Sequence, residues 1–271
     1  MGLRHKAGLL IVDVMSDQHT FESLMAELDR WNSQGQRATL WWRNDDAGLL
    51  NDAMERLLAL ANRWEIVCGV AAVPAWLESA ASEALSQSRY VAVLQHGYAH
   101  IDHTPRGEGL GAWELGPHRT AQSVLADLTA GRAVLEDQLG QRFLPVIAPP
   151  WNHIDPALFS GLVEQGYRGV TAEGPRMREW AVPGLRAVNI HTDPISWKGG
   201  ARFKGADKTV ASLVDHLAAR RLGAVDPGEP TGLITHHRDM CSACWEFVGN
   251  LFDVTKAHPA ADWQDPCELW P

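Results

Sequence analysis

Three pairs of residues in this sequence can bind a metal or move protons. Each pair follows a short apolar segment: Asp45 and Asp46, His96 and His100, and His236 and His237. Carboxylate oxygens and neutral imidazole nitrogens are common ligands of divalent transition metals. Each pair alone has a plainer interpretation as a turn or a solvent-exposed loop. The presence of all three in one chain indicates a single polar site.

The residue types also suggest which residues of such a site would bind a metal and which would move protons. Asp46, His96 and His100 would supply three metal ligands and leave a coordination position open for water, as a catalytic metal requires. Asp45 and one histidine of the third pair then remain free to move protons. Neighbouring strand residues point to opposite faces, so at most one histidine of the third pair enters the site.

A regular alternation of strands and helices places these pairs. Apolar periodicity predicts seven strands, at 38–43, 65–73, 90–95, 144–148, 169–172, 185–190 and 232–236. Helices are predicted at 21–31, 52–64 and 119–139, around Leu158 and Val214, and in the segment that Pro74 opens. This order indicates parallel βαβ units that form an α/β barrel with outer helices. Functional residues of such folds lie at the C-terminal ends of strands, where all three pairs fall.

Composition limits the class of protein. The chain has 271 residues, of which 45% are hydrophobic and 21% charged, and this predicts one globular domain over 20–271. Residues 1–19 fit the barrel poorly and are interpreted as an N-terminal extension. The net charge of −9 argues against nucleic acid or an anionic membrane as a partner. The apolar stretch 7–15 is too short to span a membrane and has no cleavage site, which predicts a cytoplasmic protein.

The four cysteines are too sparse for a disulfide framework, so reduced thiols are predicted. Cys241 and Cys244 have the spacing of half a zinc site or of a redox pair. No second pair with this spacing follows, and structural thiols are therefore the favoured interpretation.

The polar segments resemble the motifs of the polysaccharide deacetylase family, the metal-dependent carbohydrate esterases of family four, with NodB homology. The matching segments are Asn44-Asp45-Asp46-Ala47, His96-Gly97-Tyr98-Ala99-His100 and Ile234-Thr235-His236, with weaker matches at 148–151 and 193–197. The resemblance implies a distorted seven-stranded barrel. It also implies that Asp46, His96 and His100 hold a divalent metal, for which Zn²⁺ is favoured over Co²⁺, Ni²⁺ or Mn²⁺.

The resemblance further implies removal of an N-acetyl or related acyl group from a sugar or glycan. Asp45 would be the general base that activates water, and His236 the general acid that protonates the departing amine. Substrate contacts are expected from Trp151, Asp193 and Trp197, the aromatic rings by stacking on a sugar face. Two other functions stay open: hydrolysis of another small amide or formamide at the same site, and carbohydrate binding without catalysis.

Four positions depart from the family pattern. Gly97 stands at the position of a hydroxyl residue, Ala148 at that of an arginine that orients the base, Ser196 at that of an acidic residue, and His237 at that of an aspartate. The three metal ligands are unaffected by these departures. The sequence is most similar to a divergent deacetylase-like branch with Trp-Trp-Arg before the aspartates.

Overall fold

The structure is a computed structural model that describes residues 20–105, 107, 109 and 111–271. The predicted extension over 1–19 lies outside the described residues. The helices are α1 (20–33), α2 (Asp52–Trp64), α3 (Ser79–Gln87), α4 (Ala121–Leu139), α5 (Phe159–Glu164), α6 (Ala206–Arg221), α7 (Ser242–Ala257) and α8 (Pro266–Leu269). None of the helices in the described part of the chain combines the length and apolarity that crossing a lipid bilayer requires.

The strands alternate with these helices, as the periodicity predicts. They are β1 (Ala38–Ala47), β2 (Cys68–Ala72), β3 (Val91–Gln95), β4 (Phe143–Ile147), β5 (Gly169–Val170), β6 (Trp180–Val182), β7 (Leu185–Ala187), β8 (Ile195–Ser196), β9 (Arg202–Phe203), β10 (Thr231–Thr235) and β11 (Ala261–Trp263). Strand β1 continues to Ala47 instead of ending at Arg43, and β7 ends at Ala187 instead of at Ile190. The short strands β6, β8, β9 and β11 were not predicted because two or three residues are too few to show periodicity.

Seven parallel strands form one curled sheet in the order β10-β1-β2-β3-β4-β5-β7. Strand β6 adds to β7 in antiparallel orientation, and β11 pairs with the start of β1. Backbone hydrogen bonds in the segment after β7 join the two ends of the curled sheet. His191 N–H donates to the Gly232 carbonyl (2.8 Å), and Ile234 N–H donates to the Thr192 carbonyl (2.9 Å). The predicted seven-stranded α/β barrel with outer helices is therefore confirmed.

Side-chain alternation along the strands separates an inner core from an outer one. The inward cluster is apolar and includes Trp41, Ala71, Leu94, Val146, Ala148, Ile190, Ile234 and Trp270. The ring of Trp41 meets that of Trp270 edge to face at 5.4 Å between centroids. On the outer side Trp42 packs against Phe252 of α7 at 4.9 Å. The two faces of β1 therefore contribute to different cores, Trp41 to the inner cluster and Trp42 to the outer one.

All four cysteines are free thiols in the structure. Cys241 is exposed and directly precedes α7, whereas Cys244 is buried within that helix. Burial raises the pKa of Cys244 to about 12, so this thiol stays protonated at neutral pH. Its environment is that of a structural thiol.

Gly232 lies where the two ends of the sheet meet, and a substitution at this position tests how closely they pack. A Cβ atom at this position would lie 2.5 Å from the Asn189 carbonyl oxygen and 2.5 Å from Nε1 of Trp41. We expect Gly232→Ala to lower the free energy of unfolding by about 1–3 kcal/mol, because the surrounding backbone must move. Urea unfolding of the variant measures this effect. Glu164→Ala, on the exposed face of α5, is the control, and equal midpoints for the two variants would contradict the prediction.

Candidate active site

Strand β1 carries two functional faces. Trp41, Arg43 and Asp45 share the inward face, and Trp42 and Asn44 share the outward face. Arg43 is fully buried, and its Nε lies 2.8 Å from Oδ1 of Asp45. The strand therefore places an apolar, a cationic and an anionic side chain in succession along the barrel interior.

Asp46 departs from the alternation that the strand otherwise follows. Its φ angle is +66°, and the pairing of β1 with β2 shifts register between Asn44 and Ala47. Regular pleating would turn Asp46 away from Asp45, whereas here both side chains line one cavity. Burial favours the neutral carboxyl, but the imidazoles of His96, His236 and His100 outweigh it and lower the pKa of Asp46. Asp46 is therefore a carboxylate at neutral pH.

His96 and His100 bring their Nε2 atoms to this carboxylate. The distances to Oδ1 of Asp46 are 3.3 Å from His96 and 3.2 Å from His100. Nδ1 of His96 lies 2.8 Å from the Ala148 carbonyl oxygen, which can only accept, so Nδ1 carries a proton. In the neutral ring, Nε2 then presents a lone pair to a carboxylate oxygen. A cation between the two atoms removes this repulsion.

The donor set of this triad fits a divalent metal. Ligand atoms about 2.0–2.2 Å from a tetrahedral zinc ion lie roughly 3.3–3.5 Å apart, close to both distances above. Oδ1 of Asp46 is buried and makes no hydrogen bond to the described residues, so it remains available as a ligand. The bond from His96 Nδ1 to a backbone carbonyl is typical of metal-binding histidines, because it fixes the ring and the tautomer.

The loop that carries both histidines is held by a residue that the sequence analysis missed. Glu114 is buried, and its Oε1 accepts backbone N–H bonds from Ala99 (2.7 Å), His100 (3.1 Å) and Tyr98 (3.3 Å). Burial raises the pKa of Glu114 although these bonds oppose it. Gly97 has a φ of +58°, and a Cβ there would lie 1.9 Å from Oε2 of Glu114. The departure at Gly97 is therefore matched by a carboxylate that occupies the space of the missing side chain.

The third pair of residues directly follows β10, and its two side chains point to different sides of the backbone. His236 lines the cavity, and its Nδ1 lies 3.9 Å from Oδ2 of Asp193. The Trp197 indole donates to the same oxygen (2.9 Å) and meets the His236 ring edge to face at 4.7 Å. His237 is buried on the opposite side, where its Nδ1 lies 2.9 Å from Nδ2 of Asn44. His236 is thus the member of the pair that faces the site.

One cavity of about 540 Å³ unites the predicted site residues. All eight line it: Asp45, Asp46, His96, His100, Trp151, Asp193, Trp197 and His236. The Trp151 ring lies 4.3 Å from the His100 ring, and Trp197 is 47% exposed at the rim. Polar lining residues absent from the sequence prediction are Asn152, Glu173, His191, Lys204 and Ser212. Ser212 lies in α6, and the other four lie between the strands and α-helices, where no periodicity marks a position.

A second group of metal-type donors, His191, His216 and Glu229, lies beside the cavity. The Gly232 N–H donates to Nδ1 of His191 (2.9 Å), so Nε2 of a neutral His191 must carry the proton. Burial lowers the pKa of His191, which keeps the ring neutral, and Nε2 lies 3.3 Å from Oε2 of Glu229. The ligand atoms of the group lie within 4.8 Å of one another and the His191 and His216 rings stack at 3.4 Å between centroids, but the proton on Nε2 of His191 occupies the position that a metal would need. This group is a buried polar network and not a metal site.

Comparisons with known proteins identify the fold. No family model matches the sequence, and no curated protein is similar to it. Among solved structures, a protein from Mycobacterium smegmatis assigned as a polysaccharide deacetylase aligns with a TM-score of 0.63 at 13% identity, over 86% of this chain and 89% of that one. The peptidoglycan deacetylase PdaC from Bacillus subtilis aligns with a TM-score of 0.54 at 13% identity, over 86% and 90%.

A pseudoenzyme of carbohydrate esterase family four from Bacillus anthracis also aligns, with a TM-score of 0.52 at 13% identity, over 87% of this chain and 66% of that one. These likenesses show that the chain has the fold of the polysaccharide deacetylases of carbohydrate esterase family four. Because one of these structures is a pseudoenzyme, the fold by itself does not establish activity. Whether this chain is active depends on the side chains in the cavity.

Glu114 is predicted to support metal affinity through the loop of His100. Glu114→Ala removes the acceptor of three backbone N–H groups and should weaken zinc binding roughly ten- to a hundred-fold. Glu114→Gln keeps a carbonyl acceptor and should lose less. Isothermal titration with zinc measures both, and Asp102→Ala, an exposed acceptor in the same loop region, is the control. Unchanged zinc affinity in folded Glu114→Ala would contradict the role.

Proposed function

We propose that this protein is a divalent-metal-dependent hydrolase that removes an N-acetyl or related acyl group from a sugar or glycan. One observation carries the proposal. Three metal-type donors, Asp46, His96 and His100, converge in the same cavity as an unligated carboxylate, Asp45, and an imidazole, His236. The fold likeness to polysaccharide deacetylases supports the same class of reaction.

The residues divide the reaction between them. A divalent ion held by Asp46, His96 and His100 would polarise the acyl carbonyl and lower the pKa of water. Asp45 faces the same space and would accept the proton of the attacking water. His236 would donate a proton to the departing amine, and Oδ2 of Asp193 lies 3.9 Å from its Nδ1. The products are a carboxylic acid, acetate for an acetyl group, and a free amino sugar.

Aromatic side chains suggest how a sugar would be held. Trp151 and Trp197 both line the cavity, and neither belongs to the apolar cores of the barrel. Trp151 adopts a φ of +54° next to Asn152 at +60°, so two successive left-handed residues present the ring. Indole faces stack on the apolar faces of sugar rings. We therefore assign these two residues to substrate binding, with Asp193 fixing the indole of Trp197.

Metal binding is the first test of this proposal. The parent protein should bind a single zinc ion per chain, and Asp46→Ala or His96→Ala should abolish measurable uptake. His103→Ala is the matched control, because His103 is exposed and outside the cavity. Elemental analysis after zinc loading and desalting gives the stoichiometry. A folded parent that takes up no divalent ion would remove the metal-dependent mechanism.

Acetate release tests the reaction. With N,N′,N″-triacetylchitotriose, Asp45→Asn and His236→Ala should each lower kcat about 10²–10⁴-fold and leave zinc binding intact. Trp180→Ala, an exposed indole remote from the cavity, should retain parental activity. Cleavage of formyl or cyclic amides without cleavage of acetylated sugars would replace the sugar assignment. A zinc-loaded protein inert towards all of these would favour carbohydrate binding without catalysis.

A further inference from the structure

Arg43 lies beneath the cavity, and a charged side chain in such a buried position requires compensating contacts. It is fully buried, and every guanidinium nitrogen lies within 3.0 Å of an oxygen atom. Nε lies 2.8 Å from Oδ1 of Asp45, and Nη2 donates to Oδ2 of the same residue at 3.0 Å. Removing a guanidinium from water is costly unless its charge and its donors are matched. Asp45 supplies the opposite charge and accepts one hydrogen bond, from Nη2 to Oδ2, while the close contact between Nε and Oδ1 is ionic and lacks hydrogen-bond geometry.

Two-point contact fixes a carboxylate more fully than one bond does. A guanidinium is planar and its donors form a rigid fork, so the hydrogen bond from Nη2 and the close ionic contact at Nε together restrain the Asp45 carboxylate. The orientation of the Asp45 carboxylate matters, because a misplacement of about 1 Å at a reacting group can cost roughly a hundred-fold in rate. None of these contacts involves the three metal ligands.

The remaining donors of Arg43 connect Asp45 to the opposite wall. Nη1 donates to the Thr171 carbonyl (2.8 Å) and to the Thr171 hydroxyl (3.0 Å), directly after β5. Nη2 also donates to Oδ1 of Asn152, next to Trp151 in the left-handed turn. One side chain of β1 therefore touches the proposed base and the turn that presents a substrate-facing indole.

We propose that Arg43 is a positioning residue that aims Asp45 at the acyl group and holds the Trp151–Asn152 turn. This inference rests on the proposed function for the role of Asp45. Arg43 lies two residues before its partner on the same inward face of β1, so the strand itself fixes the spacing of the pair. The arginine is thus delivered by β1, whereas the resembled family delivers one from position 148.

The small residue at 148 is consistent with this arrangement. Ala148 is buried in the inner cluster, and its carbonyl oxygen lies 2.8 Å from Nδ1 of His96, so the position borders the site. An arginine there would add a second buried guanidinium to the barrel interior, where Arg43 already pairs with Asp45. The surplus cation would lack a partner, which is strongly unfavourable. Arg43 and Ala148 therefore form a compensated pair.

The test compares Arg43→Lys with Arg220→Lys in zinc-loaded protein. Lysine keeps the charge but cannot form the fork, and Arg220 is a buried arginine at the other end of β1, bonded to Thr39. With triacetylchitotriose, Arg43→Lys should lower kcat at least a hundred-fold. Its KM should rise only a few-fold and its zinc affinity should stay within three-fold of the parent. Arg220→Lys should leave kcat within three-fold.

Two further measurements separate positioning from a merely structural role. In the Arg43→Ala, Ala148→Arg double variant, kcat should recover at least ten-fold over Arg43→Ala. A crystal structure of Arg43→Lys should show the Asp45 carboxylate and the Trp151–Asn152 turn displaced, with Asp46, His96 and His100 in place. Near-parental kcat, or a fall in zinc affinity parallel to the fall in kcat, would overturn the inference.

The structural measurement stands apart from activity. If the parent releases no acetate from any acetylated sugar, the proposed function fails. Displacement of the Asp45 carboxylate in Arg43→Lys would then still support the positioning role. An unmoved carboxylate and an unmoved turn would overturn that role whatever the activity.

Discussion

The site depends on the left-handed backbone at Asp46. A non-glycine residue in this region of φ costs roughly 1–2 kcal/mol, although aspartate tolerates it better than most side chains. This left-handed conformation brings Asp46 to the same side as Asp45 and towards two imidazoles. Without it, strict alternation would leave one carboxylate among the outward residues that pack against α7. Two adjacent acids can serve one cavity only because the pleat is interrupted there.

Two departures from the family pattern have partners elsewhere in the chain. Gly97 leaves room that the Glu114 carboxylate occupies. Ala148 has no guanidinium to offer Asp45, and Arg43 of β1 contacts that carboxylate instead. Both partners, Glu114 and Arg43, are buried charged residues from other segments of the chain.

The sequence predicts what depends on period and order. The strands that carry Asp45 or directly precede His96 and His236 were located because apolar residues recur at strand spacing, and the barrel follows from their alternation with helices. Arg43 could have been found by the same rule, since it shares the inward face of β1 with Asp45. Glu114 could not, because it lies in an irregular loop whose path is set by tertiary contacts. The φ angle of Asp46 likewise leaves no mark in residue type.

The two histidine clusters show that ligand type alone does not define a metal site. His96 and His191 are both buried beside a carboxylate, and both line the cavity. A carbonyl oxygen next to Nδ1 of His96 forces the proton onto Nδ1 and frees Nε2, whereas an N–H at Nδ1 of His191 forces the proton onto Nε2. In the neutral tautomers, the first ring faces its carboxylate with a lone pair and the second with a donor. The backbone group behind each ring therefore distinguishes the two clusters, although both consist of metal-type donors.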